Sequence, residues 1–313
     1  MNVPKKALSL ILSFALVAGT AISSGAYADT SEEPTGNSAT VSTLDELETA
    51  LNNSACETIT LGGKIEGITS PVVVSRPVTI DGNGHTLSFT GLTHKDNGVD
   101  DGLILEADGI TVQNLTVDAG LTEKTKWDGI YAIHVYKSTA TLENVTATGG
   151  NGGILVNASD VTLSGTITVS GNGFGGIEVS KGDSVQDDST PSLNAEGATL
   201  VNDTQTYTNP TIWVDGVSAE AAGTTVKASD LDLDEKTKDS VYAYFLKVAS
   251  IGSTPYPSLA EAISAAKDGD TVKLLRNVAG DTIFPENKTL VLDLNGYKIT
   301  NVSGDTITNN GTL

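Results

Sequence analysis

From about Thr58 to Val217 the chain alternates short apolar runs with polar, glycine-rich breaks. Leu103-Ile104-Leu105, Ala132-Ile133-His134, Gly153-Ile154-Leu155, Gly176-Ile177-Glu178 and Thr211-Ile212-Trp213 each centre on an isoleucine, and these isoleucines fall 29, 21, 23 and 35 residues apart. A second apolar run follows each of the first three: Ile110-Thr111-Val112-Gln113-Asn114-Leu115, Ala140-Thr141-Leu142-Glu143-Asn144-Val145 and Val161-Thr162-Leu163-Ser164. Short runs rich in Val, Ile and Thr between glycine-rich turns predict strands. Recurrence every 21 to 23 residues, stretched in places by loops, predicts a solenoid in which each period is one coil. Strands of successive coils then pair about 4.8 Å apart, and isoleucines in register stack inside as an aliphatic column. Gly149-Gly150-Asn151-Gly152-Gly153 and Gly171-Asn172-Gly173-Phe174-Gly175-Gly176 are expected to supply the tight turns. Asn114 and Asn144 hold the same place in their coils, which predicts a ladder of stacked amides. An antiparallel sandwich also has many short strands, but it does not require isoleucines to recur in register.

The start of this pattern returns near the end of the chain. A helix-like Leu44-Asp45-Glu46-Leu47-Glu48-Thr49-Ala50-Leu51, then Thr58-Ile59-Thr60-Leu61, then Val78-Thr79-Ile80-Asp81-Gly82-Asn83-Gly84-His85-Thr86-Leu87 forms one unit. It is echoed by Leu259-Ala260-Glu261-Ala262-Ile263, Asp270-Thr271-Val272-Lys273-Leu274 and Leu290-Val291-Leu292-Asp293-Leu294-Asn295-Gly296-Tyr297-Lys298-Ile299, at an offset that drifts only from 215 to 212 residues. Thr43 with Glu46, and Ser258 with Glu261, form the same capping-box pattern. Each helix is expected to cover the open end of a sheet stack. Arg76 matches Lys288, which suggests a structural place at the start of each module.

The first 28 residues read as a secretory signal: Lys5 and Lys6, an apolar run from Ala7 to Ala18, and Ala26-Tyr27-Ala28 as cleavage site. The expected organisation is therefore a signal over 1–28, a disordered leader over 29–40, a β-helix over 41–218, an acidic linker over 219–247 and an incomplete second β-helix module over 248–313. The linker expectation rests on small residues followed by Asp230-Leu231-Asp232-Leu233-Asp234-Glu235. Without the signal, 16 basic residues face 39 acidic ones, a net charge of −23. Such a surface repels nucleic acid and anionic membranes. No stretch reaches the roughly 20 apolar residues of a membrane span, so no membrane insertion is expected. Cys56 is the only cysteine, which excludes a disulfide framework and suits a small packed side chain.

Arg76-Pro77-Val78-Thr79-Ile80-Asp81-Gly82-Asn83-Gly84-His85-Thr86-Leu87, after a capping helix and Thr58-Ile59-Thr60-Leu61, resembles the opening of right-handed parallel β-helix proteins of the pectate-lyase-like superfamily. The likeness covers about residues 41–217. The segment Tyr256-Pro257-Ser258-Leu259-Ala260-Glu261-Ala262 with Asp268-Gly269-Asp270-Thr271-Val272-Lys273-Leu274-Leu275 resembles repeated modules of Gram-positive bacterial surface proteins. The implied fold is an all-β, right-handed parallel β-helix solenoid with a short N-terminal capping helix, followed by the start of a second module. That fold hosts lyases, hydrolases, adhesins and inert stalks, so function must be argued from the site.

If the five isoleucines point inward, then Leu105, His134, Leu155, Glu178 and Trp213 point outward on one face. The resemblance places the family's substrate groove on such a face. A uronate lyase of this superfamily wants a basic proton abstractor, yet no arginine occurs between Arg76 and Arg276. Lys137 and Lys181 lie near the face without a motif to mark them. Glu178 and Asp215 on neighbouring coils would suit paired carboxylates in glycoside hydrolysis. Two polar loops, His94 to Asp101 and Thr122 to Asp128, enter consecutive coils, and Trp127 with Asp128 has the chemistry to stack on and hydrogen-bond a sugar. No zinc-ligand, Cys–His or Ser–His–Asp spacing is present, so no cofactor is expected, calcium being compatible with the acidity but marked by no motif. The sequence therefore points to a secreted or cell-surface β-helix, a monomeric segment of a longer chain, with a structural or adhesive role. Candidate ligand-binding residues are Trp127, Asp128, His134, Glu178 and Trp213, and the expected partner is a polysaccharide or a host or matrix glycan. The enzymatic alternative is a polysaccharide lyase or glycoside hydrolase acting on acidic polysaccharide.

Overall fold

The structure, a computed structural model, describes residues 37–93, 101–124, 129–181, 190–216, 221, 223, 225–228, 233–238 and 241–313, with backbone alone for 233–238 and 241. From Thr58 the chain visits three sheets in strict rotation. The opening coil runs Thr58–Leu61, Ile65–Ile68 and Val72–Val74, and the sixth runs Ser192–Asn194, Thr199–Val201 and Ile212–Asp215. Every pairing between these successive coils is parallel. This is a parallel β-helix.

The interior consists of aliphatic columns set by that register. In the first sheet Ile59, Ile80, Val112, Leu142 and Leu163 stack. In the third, one column runs Val72, Leu103, Ile133, Ile154, Ile177 and Ile212, and a second runs Val74, Leu105, Val135, Val156, Val179 and Val214. All of these side chains are buried in one continuous core, whose burial drives the coiling. Four of the five isoleucines thus stack as expected. Ile104 does not: it pairs with His134, while Leu103 and Leu105 take the inward places. The outward residue of that strand is Ile104, not Leu105.

The corner between the first two sheets carries the amide ladder. Asn114 and Asn144 are left-handed at φ 51° each, and Asn144 Nδ2 donates to Asn114 Oδ1 at 3.3 Å, while Asn114 Nδ2 donates to Asp81 Oδ1 at 3.1 Å. The glycine runs divide their work. Gly149 and Gly171 take positive φ at turns, whereas Gly152, Gly153, Gly175 and Gly176 lie in strands of the third sheet. Gly153 and Gly176 serve close approach instead: a Cβ on either would sit 2.6 Å from a backbone oxygen of the next coil.

Helix α1, Leu44–Asn52, closes the N-terminal end. Thr43 Oγ1 accepts from the Glu46 amide while Glu46 returns to the Thr43 amide, and Leu47 and Ala50 enter the core. Arg76 completes the cap from the other side, donating Nε to Leu51 O at 2.7 Å and Nη2 to Ala50 O at 2.9 Å. Helix α2, Leu259–Ala265, begins the second module in the same way, with Lys288 Nζ donating to Ile263 O at 3.0 Å and Ser264 O at 2.8 Å. A cation meeting the last carbonyls of a helix satisfies orphan acceptors and opposes the helix dipole. Asn83 and Asn295 also correspond: each is left-handed and receives the same turn from Asp81 or Asp293.

The stretch expected as an acidic linker is largely folded onto the β-helix. Val226–Lys227 adds to the first sheet, and Leu233–Lys238 with Val241–Leu246 forms an antiparallel hairpin on the third. Tyr242 and Tyr244 face Val214 and Ile212 and extend the core columns. The second module has its own core, including Leu259, Val272, Leu274, Phe284 and Leu290. Gln205, buried, ties hairpin and second module to the β-helix by donating to Leu246 O and Pro257 O at 2.6 Å each.

Candidate functional site

Register decides what the third sheet presents outward. One lane carries Val73, Ile104, His134, Leu155, Glu178 and Trp213, and the next carries Tyr136, Asn157, Ser180 and Asp215. His134 and Glu178 are therefore two coils apart, with Leu155 between them.

An apolar cluster separate from the core lies on this face: Tyr131, Leu155 and Phe174, with Trp213 packed against it. The Phe174 ring meets Tyr131 and Trp213 edge-to-face, with centroids 5.7 and 5.8 Å apart. Tyr131 reaches across the neighbouring coil because Gly152 has no side chain; a Cβ there would lie 2.3 Å from Tyr131 Cε1. The Tyr131 hydroxyl donates to Glu178 Oε2. Burial against the aromatic rings pushes the Glu178 carboxyl up to about 7, and the Asp215 charge adds to the rise. The hydroxyl of Tyr131, the His134 ring and Ser180 oppose it without cancelling it.

His134 points outward as expected, yet it is only 3% exposed. Its Nδ1 lies 2.8 Å from Asp101 Oδ2, and Asp101, wholly buried, also accepts from the Tyr131 amide at 2.6 Å. Two lone pairs at 2.8 Å would repel, so the contact places a ring hydrogen on Nδ1, donated to Asp101. Among the described residues Nε2 has no hydrogen-bond partner, and neither do two other buried atoms of this face, Asn157 Oδ1 and Trp213 Nε1. Unpaired buried polar atoms are rare because each forfeits its hydration. Three on one sheet face mark it.

The structure thus brings His134, Glu178 and Trp213 onto one lane, with Asp215 beside it. Trp127 and Asp128 lie outside the described residues, as does the loop over 94–100. Sequence reasoning missed Asp101, Tyr131, Asn157 and Phe174. Phe174 had a signal, being an aromatic side chain within a glycine run of a chain with only 5 phenylalanines. Among the described residues no group of three or more His, Cys, Asp or Glu is placed to hold a metal, and no helix is long and apolar enough to cross a membrane.

A groove of about 800 Å³ lies elsewhere, between Leu200 of the β-helix and Arg276 of the second module. Its polar lining is already engaged: Asn202 accepts from the Thr204 amide, Arg276 donates to Leu200 O, and Asp281 accepts from Asn301. The outward face of the third sheet is the stronger candidate.

Residues 38–155 match the sequence profile of a family described as a pectate lyase-like adhesive domain. The matched stretch runs from the edge strand Ser38–Val41 to the strand carrying Leu155. No curated protein and no solved structure matches the chain.

Proposed function

We propose that this parallel β-helix, whose first coils fit the pectate lyase-like adhesive family, holds carbohydrate on the outward face of its third sheet at the surface of the cell that exports it. The observation that carries the reading is the outer cluster of Tyr131, Leu155 and Phe174, which holds the partly exposed Trp213 on the same lane as Glu178. Trp213, the one ring of the three that is not buried, offers an apolar surface for the C–H face of a sugar, and the half-buried carboxyls of Glu178 and Asp215 beside it offer acceptors for its hydroxyls. The stacked coils supply a rigid platform, and the second module suits a chain of tandem units. Export rests on the N-terminal Lys5, Lys6 and the apolar run that follows.

A glycan array probed with the full chain and with Trp213→Ala tests the assignment. Binding that is lost in the variant, without any turnover of the bound sugar, supports adhesion; an array with no binding of the full chain refutes it.

One observation favours a rival. A carboxyl near neutrality suits general acid chemistry, and Glu178 sits beside Asp215 and Tyr131. In that case polysaccharide hydrolysis or elimination by the full chain would be measurable and would disappear in Glu178→Gln. The lyase form of this rival meets a difficulty, since Arg76 is committed to the helix carbonyls of Leu51 and Ala50 and the coils beyond it contain no arginine until Arg276.

A further inference from the structure

We infer that the groove between the two modules takes an extended peptide strand of a partner polypeptide, apolar at alternate residues and basic at its ends, which pairs with the bare edge of the second sheet. This site is separate from the sugar-binding face and does not depend on it.

The three sheets end differently. Beyond the sixth coil the first sheet gains Val226–Lys227 and the third gains the hairpin strand Val241–Leu246, whereas the second stops at Thr199–Val201 among the described residues. That last strand lines the groove. The Thr199 amide donates to Gly165 O, and Val201 O accepts from the Val169 amide, so both residues face the preceding coil. Alternate residues of a parallel strand turn their backbone groups to opposite sides, so Leu200 directs its N–H and C=O away from that coil. Val278–Ala279 and Thr282–Phe284 of the second module also line the groove. The Val278 and Gly280 amides donate to Lys298 O and Thr300 O, which turns the backbone of Ala279 away from its partner strand. Thr282 and Phe284 engage Thr306 and Asn310 in the same manner and turn Ile283 away. Strand edges from both modules thus border one groove without pairing with each other. A bare edge is a template for another strand, and pairing through the main chain requires an extended peptide.

Side chains state which peptide. Leu246, Leu259 and Ile263 form a buried apolar part of the lining, and the exposed Ile283 adds to it. A strand turns every second side chain to one face, so alternate residues of the occupant are apolar. The charged lining groups are Asp203 and Asp281, both exposed, and Arg276, whose Nη1 donates to Leu200 O at 3.4 Å. A carbonyl oxygen has two lone pairs, so Leu200 O can serve Arg276 and a peptide amide together. Two carboxylates against one guanidinium leave the groove negative in a chain of net charge −21, which favours a basic strand over an acidic one.

Fluorescence anisotropy and residue-resolved amide exchange on the full chain test this, with the labelled, capped peptide Lys-Val-Thr-Val-Thr-Val-Lys as probe. The expected result is saturable binding, with exchange slowed at least about tenfold at the Leu200 and Ala279 amides. A copy N-methylated at its central residues should bind at least about tenfold more weakly, the worth of two hydrogen bonds, and it tests pairing without altering the protein. A copy with glutamate at both ends should also lose at least about tenfold, and joint Asp203→Lys and Asp281→Lys should abolish that preference with the melting temperature held. Ala279→Pro removes a groove-facing N–H that lies outside the ladder and should weaken the probe about fivefold. No binding of the probe, equal binding of the N-methylated copy, or slowed exchange at Ser38–Val41 in place of Leu200 overturns the inference. Sedimentation showing the chain already dimeric through the Leu200 edge overturns it too, because the occupant is then a second copy. None of these results bears on the glycan array, and an array without binding leaves this site standing.

Discussion

Replacing Glu178 with glutamine should remove the pH dependence that this carboxyl imposes on the fold. In the folded chain burial lifts Glu178 from 4.5 to about 7, so the native state keeps a proton that the unfolded chain releases. The stability contributed by that proton is fully present below the unfolded value, declines as pH rises from 4.5, and is gone once pH passes about 7. Between 4.5 and about 7, at about 1.4 kcal/mol per pH unit, the change amounts to about 3 kcal/mol. Glutamine keeps an oxygen for the Tyr131 hydroxyl and carries no charge at any pH. Urea unfolding of wild type and Glu178→Gln at about pH 4 and about pH 8 gives the comparison, because titrations common to both chains cancel in the difference. The variant should gain about 3 kcal/mol on wild type between the two conditions. The Asp215 charge raises the Glu178 carboxyl, so Asp215→Asn should lower it toward its ordinary range and shrink the gain. A difference below about 1 kcal/mol, or one of opposite sign, would show that Glu178 is solvated and that the aromatic cluster does not enclose it.

The other expectations follow from packing and caps. Gly152→Ala would set a Cβ 2.3 Å from the Tyr131 ring, so it should cost about 1–3 kcal/mol by denaturant unfolding and free Glu178 to titrate lower by carboxyl NMR. Arg76→Ala strands the carbonyls of Leu51 and Ala50 and should cost about 2 kcal/mol, with Arg76→Lys recovering part of it, since lysine does the same work at position 288. Ile154→Ala opens a hole in the middle of the third-sheet column and should cost about 2–5 kcal/mol, whereas Val73→Ala, on the exposed outward lane, should stay within about 0.5 kcal/mol.

What could be read from the sequence, and what could not, follows from how a solenoid stores its information. A coil repeats the same inward positions, so Ile133, Ile154, Ile177 and Ile212 announce one another across spacings that loops only lengthen. The paired openings announce each other likewise, down to Arg76 and Lys288 capping equivalent helices through different chemistry. Phase is lost where alternation is lost. Leu103-Ile104-Leu105 is apolar at every position, so nothing in it states which residue turns inward, and only pairing to His134 resolves the slip. The acidic run near Leu233 misled for a related reason: charge suggested solvent, while the tyrosines and leucine that follow, Tyr242, Tyr244 and Leu246, were enough to anchor a hairpin on the end of the core. The site is harder still. His134, Glu178 and Trp213 could be placed outward from parity alone, but Asp101 meets the Tyr131 amide across 30 residues, and Tyr131 meets Glu178 across 47. Those contacts depend on coil register after loops of unequal length, and on Gly152 being a surface for a ring to cross rather than a turn. The chemistry of this face is therefore a property of stacking between coils, and a substitution that shifts one coil should alter the Asp101–His134 and Tyr131–Glu178 contacts together.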